Sequence, residues 1–280
     1  MDTATKGFKD VLTEKLGDKV VFDEQNAAGD SATCATICNQ FVSSKVDLIM
    51  ANATPALQAA TASTDSIPIL GTSVTDYSTA LDIADWTGTT GKNVSGTADL
   101  APLDKQAEMI KELFPDAKNV GILYCSAEPN SKYQTTEMTK LLTDMGYSCK
   151  EYTFADSNDV ASVTSNACDN CDVIYIPTDN TAASCAEAIN NVASPKKVPI
   201  VTGEEGLCKG CGIATLCISY YDLGRTTGEM AYDVLVNGAD VSTMEIKTAP
   251  TTTYEYIADR CDALGVKVPD NYVAIEADAE

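Results

Sequence analysis

Histidine is absent from all 280 residues of this chain, and basic residues are scarce. Histidine is the commonest general base near neutral pH and the commonest zinc ligand, so the chain lacks the side chain on which most hydrolase and zinc sites depend. Lysine and arginine together number 19 against 41 acidic residues, which gives a formal net charge of −22. That charge repels the phosphates of nucleic acids and of anionic lipids, so neither is an expected partner.

Long apolar runs are also missing. No run approaches the roughly 20 residues of a membrane-spanning helix, and no basic and apolar signal segment follows Met1. What the chain does contain is 44% apolar residues, enough to build one large domain or two of ordinary size. The composition therefore indicates a globular protein.

The two halves of the chain share one sequence pattern. DLIMANATP at residues 47–55 precedes an alanine-rich segment and IPILGTS at 67–73, while DVIYIPTDNT at 172–181 precedes another alanine-rich segment and VPIVTGE at 198–204. Each passage has the pattern of a buried strand, a polar loop, a helix and a second strand, which is typical of a parallel sheet. The sequence thus predicts an α/β protein with two lobes, each a doubly wound, Rossmann-like parallel sheet.

The repeat extends towards the N-terminus. Residues 16–41 and 145–167 both predict a glycine after a helix, then a strand, a turn with an aspartate, and a helix. In the second half, a strand at 119–124 and a loop at 125–131 come before this unit, and the first half has no counterpart to them. We therefore expect lobe one, as given, to lack its first strand.

Three crossings between the lobes are predicted: a hinge where the chain first leaves lobe one near residues 94–100, a second crossing near 218–224, and a third where the tail returns to lobe two. The predicted lobes are 1–98 with 221–248 returning to lobe one, and 99–220 with 249–280 returning to lobe two. Because ligands of open parallel sheets bind at the carboxyl ends of the strands, facing lobes would line one cleft with their loops.

Six motifs together resemble a known family: QNAAGD, NATPALQAA, ILYCSAEPNS, IPTDNT, TGEEG and ISYYDLGRTTGEMA. They resemble the TrpX-like substrate-binding proteins of ABC transporters, which have the type I periplasmic binding protein fold, and the likeness covers nearly the whole chain. The resemblance implies a receptor, not an enzyme, that binds an amino acid of the Trp, Tyr or Phe class and delivers it to an ABC permease. It also implies an extracytoplasmic protein, periplasmic or a surface lipoprotein, whose signal is absent here. No cofactor or metal is expected.

In lobe one, the predicted ligand groups follow two neighbouring strands. Pro55 suits the first turn of a helix, so unpaired backbone amides beside it can bind a carboxylate. Hydroxyl groups from the next loop can add hydrogen bonds. The candidates are Asn52, Ala53, Thr54, Thr72, Ser73 and Thr75.

In lobe two, Asp179 and Glu204, with Glu205 as the alternative to Glu204, follow adjacent strands, where a carboxylate can pair with a ligand ammonium. The competing interpretation is that Asp179 or Asn180 only caps the helix that begins near Thr181. The resemblance adds further candidates from the loop after NVGILY and from the second crossing: Ser126, Asn130, Ser131 and Tyr220.

Eleven cysteines depart from the family pattern. Cys168 with Cys171, and Cys208 with Cys211, form two C-x2-C pairs that superficially resemble a four-thiolate zinc site. Both pairs precede predicted strands, so they should lie at the edge opposite the ligand loops. For an exported protein, disulfides rank first, buried free thiols second and zinc third.

Two other functions fit this scaffold. A cofactor-independent racemase would need a cysteine from each lobe beside the ligand, and only Cys125 is suitably placed. The sensor lobes of a repressor would need a helix-turn-helix ahead of lobe one, and the given sequence shows none. The receptor is therefore the favoured function.

Overall fold

The computed structural model describes residues 2–249 and 251–277 and divides the chain into two compact units. Unit 1 holds the residues up to Leu100 together with Ile218–Thr251, and unit 2 holds Ala101–Cys217 together with the residues from Thr252 onward. The corresponding boundaries in the sequence prediction follow residues 98, 220 and 248.

The strands, in chain order, are β1 (Ile49–Asn52), β2 (Ile69–Val74), β3 (Val94–Ala98), β4 (Asn119–Cys125), β5 (Ser148–Phe154), β6 (Val173–Ile176), β7 (Ile200–Thr202), β8 (Ala214–Ile218), β9 (Lys247–Thr248), β10 (Thr252–Ile257) and β11 (Val273–Ile275). The α-helices are α1 (Asp2–Leu16), α2 (Ser31–Ser44), α3 (Thr54–Ser63), α4 (Tyr77–Ala80), α5 (Leu103–Leu113), α6 (Pro129–Asp144), α7 (Val160–Cys168), α8 (Asn180–Ser184), α9 (Ala186–Lys196), α10 (Glu205–Gly210), α11 (Tyr220–Asn237) and α12 (Ala258–Leu264).

Unit 1 is built on a four-stranded sheet in the order β1-β2-β3-β9, with parallel pairing throughout. Every residue of β2 is buried, because helices cover both faces of the sheet. Ile69 points into a core shared with α2 and α3, and the next residue, Leu70, points into a second core shared with α1 and α11. The doubly wound parallel sheet predicted for lobe one is confirmed.

Helices α1 and α11 lie unusually close together in the second core of unit 1. A Cβ atom at Gly7 would collide with the carbonyl oxygen of Tyr221, and one at Gly224 would collide with the carbonyl oxygen of Ala4. Only glycine permits this approach of the two backbones. The first helix of the chain is therefore held by a segment that lies far along the sequence.

Residues 20–27 form neither helix nor strand, so the strand predicted after Gly17 is wrong. Phe22 packs partly against the second core, but Val21 is 90% exposed. The physical reason is the absence of a partner: among the described residues, β1 pairs only with β2, and an extended segment without a paired neighbour makes no ladder. The missing first strand stays a prediction.

Unit 2 contains a seven-stranded sheet in the order β11-β10-β8-β7-β6-β4-β5. Strand β4 pairs in parallel with β5 on one side and with β6 on the other, so the strand order switches beside β4. All four residues of β6 are buried, and Ile174 and Ile176 belong to a core with α7 and α9. The loops that follow β4 and β6 thus lie at the switch point, where open parallel sheets bind ligands.

All eleven cysteines are free thiols, so the ranking of disulfides first is wrong. The thiols form part of the protein's packing: Cys168 and Cys211 lie in the apolar core of unit 2, and Cys171 contacts the Tyr152 hydroxyl at 3.5 Å. Burial raises the pKa of Cys208 and raises that of Cys211 to about 12. Within residues 2–249 and 251–277, no group of three or more His, Cys, Asp or Glu side chains could hold a metal ion.

Candidate functional site

The junction between β1 and α3 in unit 1 has a strained backbone. Ala53, the residue before α3, has φ 88° and ψ 158°, a conformation almost restricted to glycine. It is held there because its amide donates to the Thr72 carbonyl at 2.9 Å and its carbonyl accepts from Leu57 at 3.0 Å. Alanine has no side-chain oxygen, so the first amides of α3 have no side-chain cap from this residue. Strain of this kind clusters at functional sites.

Ser73 lies next to this junction, at the end of β2, and is the second non-glycine residue there with positive φ, at 54°. Its side chain is buried, with 5% of the residue exposed, and its Oγ has no hydrogen-bond partner in the part of the chain that the structure describes. Buried hydroxyls are nearly always paired, so an unpaired one calls for an added partner. We call Ser73 and the uncapped start of α3 the anion half-site, and its binding of an anion stays a prediction.

Two of the other lobe-one candidates, Asn52 and Thr72, have side-chain hydrogen bonds within unit 1. The Asn52 amide donates to Thr5 Oγ1 at 3.1 Å, and Thr72 Oγ1 accepts from Thr97 at 3.2 Å. These contacts place both side chains in the packing of the sheet with the helices.

Two further candidates, Thr75 and Tyr220, meet on one carboxylate that the sequence analysis did not single out. Thr75 Oγ1 donates to Asp99 Oδ1 at 3.2 Å, and the Tyr220 hydroxyl donates to Asp99 Oδ2 at 2.9 Å. Burial raises the pKa of Asp99, and these two hydrogen bonds oppose the rise. Asp99 directly follows β3, and an aspartate at the end of a predicted strand is the sequence signal that could have identified this carboxylate.

In unit 2, Asp179 serves both as a helix cap and as a link between two strand ends. Its Oδ1 accepts from the Ala182 amide at 2.7 Å, which is the capping interaction considered as the alternative above. Its Oδ2 accepts from the Cys125 amide at 2.7 Å and from Ser131 Oγ at 2.7 Å. The side chain is 1% exposed. A direct contact between Asp179 and a ligand ammonium stays a prediction.

Glu128 is the functional candidate that the sequence analysis missed. It is the residue directly before α6, is 8% exposed, and accepts five hydrogen bonds. Its Oε1 accepts from the amide and hydroxyl of Thr181, both at 2.7 Å. Its Oε2 accepts from the amide and side chain of Asn180 at 3.0 and 2.7 Å, and from Asn130 Nδ2 at 3.1 Å. The signal available in the sequence was Glu followed by Pro129, which marks a helix start.

Glu128, Asn130, Ser131 and Asp179 form what we call the acidic cluster. Burial raises the pKa of Asp179 to about 6, and the charge of Glu128 adds to that rise. Burial also acts to raise the pKa of Glu128, but the hydrogen bonds from Thr181 and Asn180 outweigh it, and the net direction is down. No ion pair among the described residues involves either carboxylate.

Two candidates from lobe two lie outside the acidic cluster. Ser126 is exposed, and its hydroxyl donates to the Phe154 carbonyl at 3.2 Å. Glu204 caps α10, with its carboxylate accepting from the amides of Gly206 and Leu207. The structure therefore brings together Asn130, Ser131, Asp179 and Asn180 of the predicted set for unit 2.

Cys125 does not have the surroundings of a reactive nucleophile. Burial raises the pKa of its thiol, and its Sγ faces the Ala155 carbonyl at 3.6 Å. A catalytic thiol is activated by a lowered pKa or by an adjacent base that takes its proton, and these contacts supply neither.

The sequence model of the family described as "ABC transporter substrate binding protein" matches residues 1–279. The chain belongs to this family. A tyrosine-binding protein of Clostridioides difficile (strain R20291) is 36% identical to this substrate-binding protein over 283 residues, covering 99% of this chain and 81% of the relative.

Solved structures of substrate-binding proteins are also similar to this chain. An ABC domain from Streptococcus pneumonia in complex with L-Trp is 30% identical, with a TM-score of 0.93, and the match covers 98% of this chain and 95% of that one. A ligand-free, open substrate-binding protein with adhesive properties from Clostridium difficile is 35% identical, with a TM-score of 0.76, covering 99% and 95%. The fold of this substrate-binding protein is that of the type I periplasmic binding proteins. Among its described helices, none has the length and apolar character to cross a membrane.

Proposed function

We propose that this chain is the receptor of an ABC importer and that it binds a free aromatic amino acid. Membership of the family supports the receptor role. The ligand class is supported by one relative that is a tyrosine-binding protein and by a similar structure that holds L-Trp. The observation that carries the proposal is the anion half-site of unit 1, because every free amino acid presents an α-carboxylate.

In this proposal, the α-carboxylate is bound at the start of α3. The first amides of a helix point outward and carry a partial positive charge, which favours an anion. Ser73 Oγ, which has no partner among the described residues, donates the additional hydrogen bond. The strain at Ala53 is the cost of turning the backbone so that these donors converge.

In this proposal, the ligand is bound and delivered without being chemically changed. We expect binding without catalysis, because the buried Cys125 thiol has a raised pKa and lacks an activating base in its contacts. We place the protein outside the cytoplasm, as a periplasmic protein or a lipoprotein that delivers its ligand to an ABC permease. The predicted cleft that both lobes would line stays a prediction.

The test is a calorimetric titration with each of the twenty amino acids, followed by the variant Ser73→Ala. We expect tryptophan, tyrosine or phenylalanine to bind most tightly, and Ser73→Ala to weaken binding at least about tenfold, since a hydrogen bond to a charged group is lost. The unliganded variant should be as stable as the wild type, because alanine removes a buried hydroxyl that had no partner.

Ser43→Ala is the matched control, since the exposed Ser43 hydroxyl only donates to the Asn39 carbonyl within α2. It should leave the affinity unchanged. The proposed ligand class is rejected when no aromatic amino acid binds, and the carboxylate role of Ser73 is rejected when Ser73→Ala binds as tightly as the wild type.

A further inference from the structure

The acidic cluster of unit 2 buries negative charge that no cation in the described chain neutralises. Glu128 is 8% exposed and Asp179 is 1% exposed, and neither forms an ion pair with a lysine or arginine of residues 2–249 and 251–277. Removing a carboxylate from water without a compensating cation is costly. A positive charge supplied from outside the chain would remove part of that cost.

The carboxylates themselves have little capacity left for a new donor. Glu128 already accepts five hydrogen bonds, from Thr181, Asn180 and Asn130. Asp179 accepts three, and an ionised carboxylate offers about four acceptor positions. Among the described residues, the acceptor of the cluster that has no hydrogen-bond partner is a neutral one.

That acceptor is Asn130 Oδ1. Asn130 is 4% exposed, and its Oδ1 is buried without a hydrogen-bond partner among the described residues. The orientation of the amide is fixed, because Nδ2 donates to Glu128 Oε2 and to the Thr178 carbonyl, both at 3.1 Å. Reversing the amide would place Oδ1 against these two acceptors, so Oδ1 has to be the atom that points away from them.

We propose that Asn130 Oδ1 accepts a hydrogen bond from the ammonium group of the bound amino acid, and that Glu128 is the positioning residue that fixes the amide for it. The inference rests on the proposed function, which supplies a ligand with an ammonium group. A charge-assisted hydrogen bond that forms in a buried place, shielded from solvent, satisfies the unpaired oxygen. It also places a cation beside two carboxylates. Asn130 touches the ligand, whereas Glu128 acts through Asn130.

The experiment compares ligands that differ only in the ammonium. The wild type is titrated calorimetrically with L-tyrosine and L-tryptophan and with the des-amino analogue of each. We expect the amino acid to bind at least about tenfold more tightly than its analogue, the range for a hydrogen bond to a charged group. This comparison needs no variant, so it does not depend on whether a substitution folds.

Variants then assign the preference to residues. Asn130→Ala should abolish the preference for the amino acid while leaving the affinity of the des-amino analogue within about twofold. Glu128→Gln should reduce the preference in part, because the glutamine keeps the shape but no longer fixes the amide with a full charge. The control is Thr136→Ala on the same helix, where an exposed hydroxyl donates only to the Lys132 carbonyl, and it should change neither affinity.

Three results would overturn the inference. If the wild type binds an amino acid and its des-amino analogue equally, the ammonium makes no such contact, although the proposed function survives. If Asn130→Ala keeps the preference, or weakens both ligands equally, Asn130 Oδ1 is satisfied in another way, for instance by a buried water. If the wild type binds no aromatic amino acid, the proposed function fails and this inference fails with it.

Discussion

Asp179 shows how much one buried carboxylate can depend on its neighbours. Three hydrogen bonds hold its ionised form, from Ala182, Cys125 and Ser131. Even so, burial and the nearby charge of Glu128 raise its pKa to about 6. Two positions that are far apart in the sequence therefore share one electrostatic environment.

This shift predicts a pH dependence of stability with a definite sign. In the unfolded chain the carboxyl titrates near 4, so between about pH 4 and pH 6 the folded state holds the proton more tightly. Asp179 therefore contributes less to the free energy of unfolding as the pH rises through this range. Below about pH 4 the group is protonated in both states, and no penalty remains.

The measurement is urea denaturation of the wild type and Asp179→Asn without ligand, from pH 4 to pH 7. The free energy of unfolding of the wild type, minus that of the variant, should fall by on the order of 2 kcal/mol as the pH rises. Glu128 is present in both proteins, so the part of its titration that does not depend on Asp179 cancels when the two free energies of unfolding are subtracted. A difference that grows with pH would show that the pKa of Asp179 is lowered in the folded state.

At the scale of elements, the junction between β1 and α3 stores strain that a single substitution can release. Glycine adopts the backbone angles of Ala53 without steric cost, so Ala53→Gly should raise the free energy of unfolding by about 1 kcal/mol. The substitution relieves roughly 1 to 3 kcal/mol of backbone strain. From this we subtract the entropic cost of ordering glycine, which is more flexible than alanine in the unfolded chain. Thermal or urea denaturation measures it.

Ala59→Gly is the matched control, because Ala59 lies in the middle of α3. There the same substitution should lower the free energy of unfolding by about 1 kcal/mol. Equal losses of stability at positions 53 and 59 would mean that the junction holds no strain.

The elements also show what the sequence could and could not predict. Strands such as β1 and β6 were predictable, because a short apolar run ending in polar residues is a local signal. The strand predicted after Gly17 was wrong because a strand exists only through its neighbour, which no local pattern reports. In the same way, the sequence placed Asn180 after a strand but could not show that Glu128 accepts hydrogen bonds from Asn180 and Thr181, since those contacts span 52 and 53 residues.

On the scale of the whole molecule, the eleven free thiols lead to a simple prediction. Eight cysteines are buried and three are partly exposed. In denaturant without reductant, Ellman's reagent should titrate eleven thiols per chain, and in the native protein the eight buried thiols should react slowly. A count below eleven in denaturant would reveal disulfides. Slow native reaction is expected because the buried thiols have raised pKa values, for example Cys208 and Cys211.

The close contact of α1 with α11 has a consequence for synthesis on the ribosome. The apolar face of α1, which includes Phe8, Val11 and Leu12, packs against earlier residues such as Leu70 but is fully covered only when α11 has been made. Roughly 200 residues separate the two helices, which at about 5 to 20 residues per second is on the order of 10 to 40 seconds of translation. During that interval most of unit 2 has already emerged. The packing of α1 is therefore completed late, and the part of its apolar face that α11 covers stays open until α11 has been made.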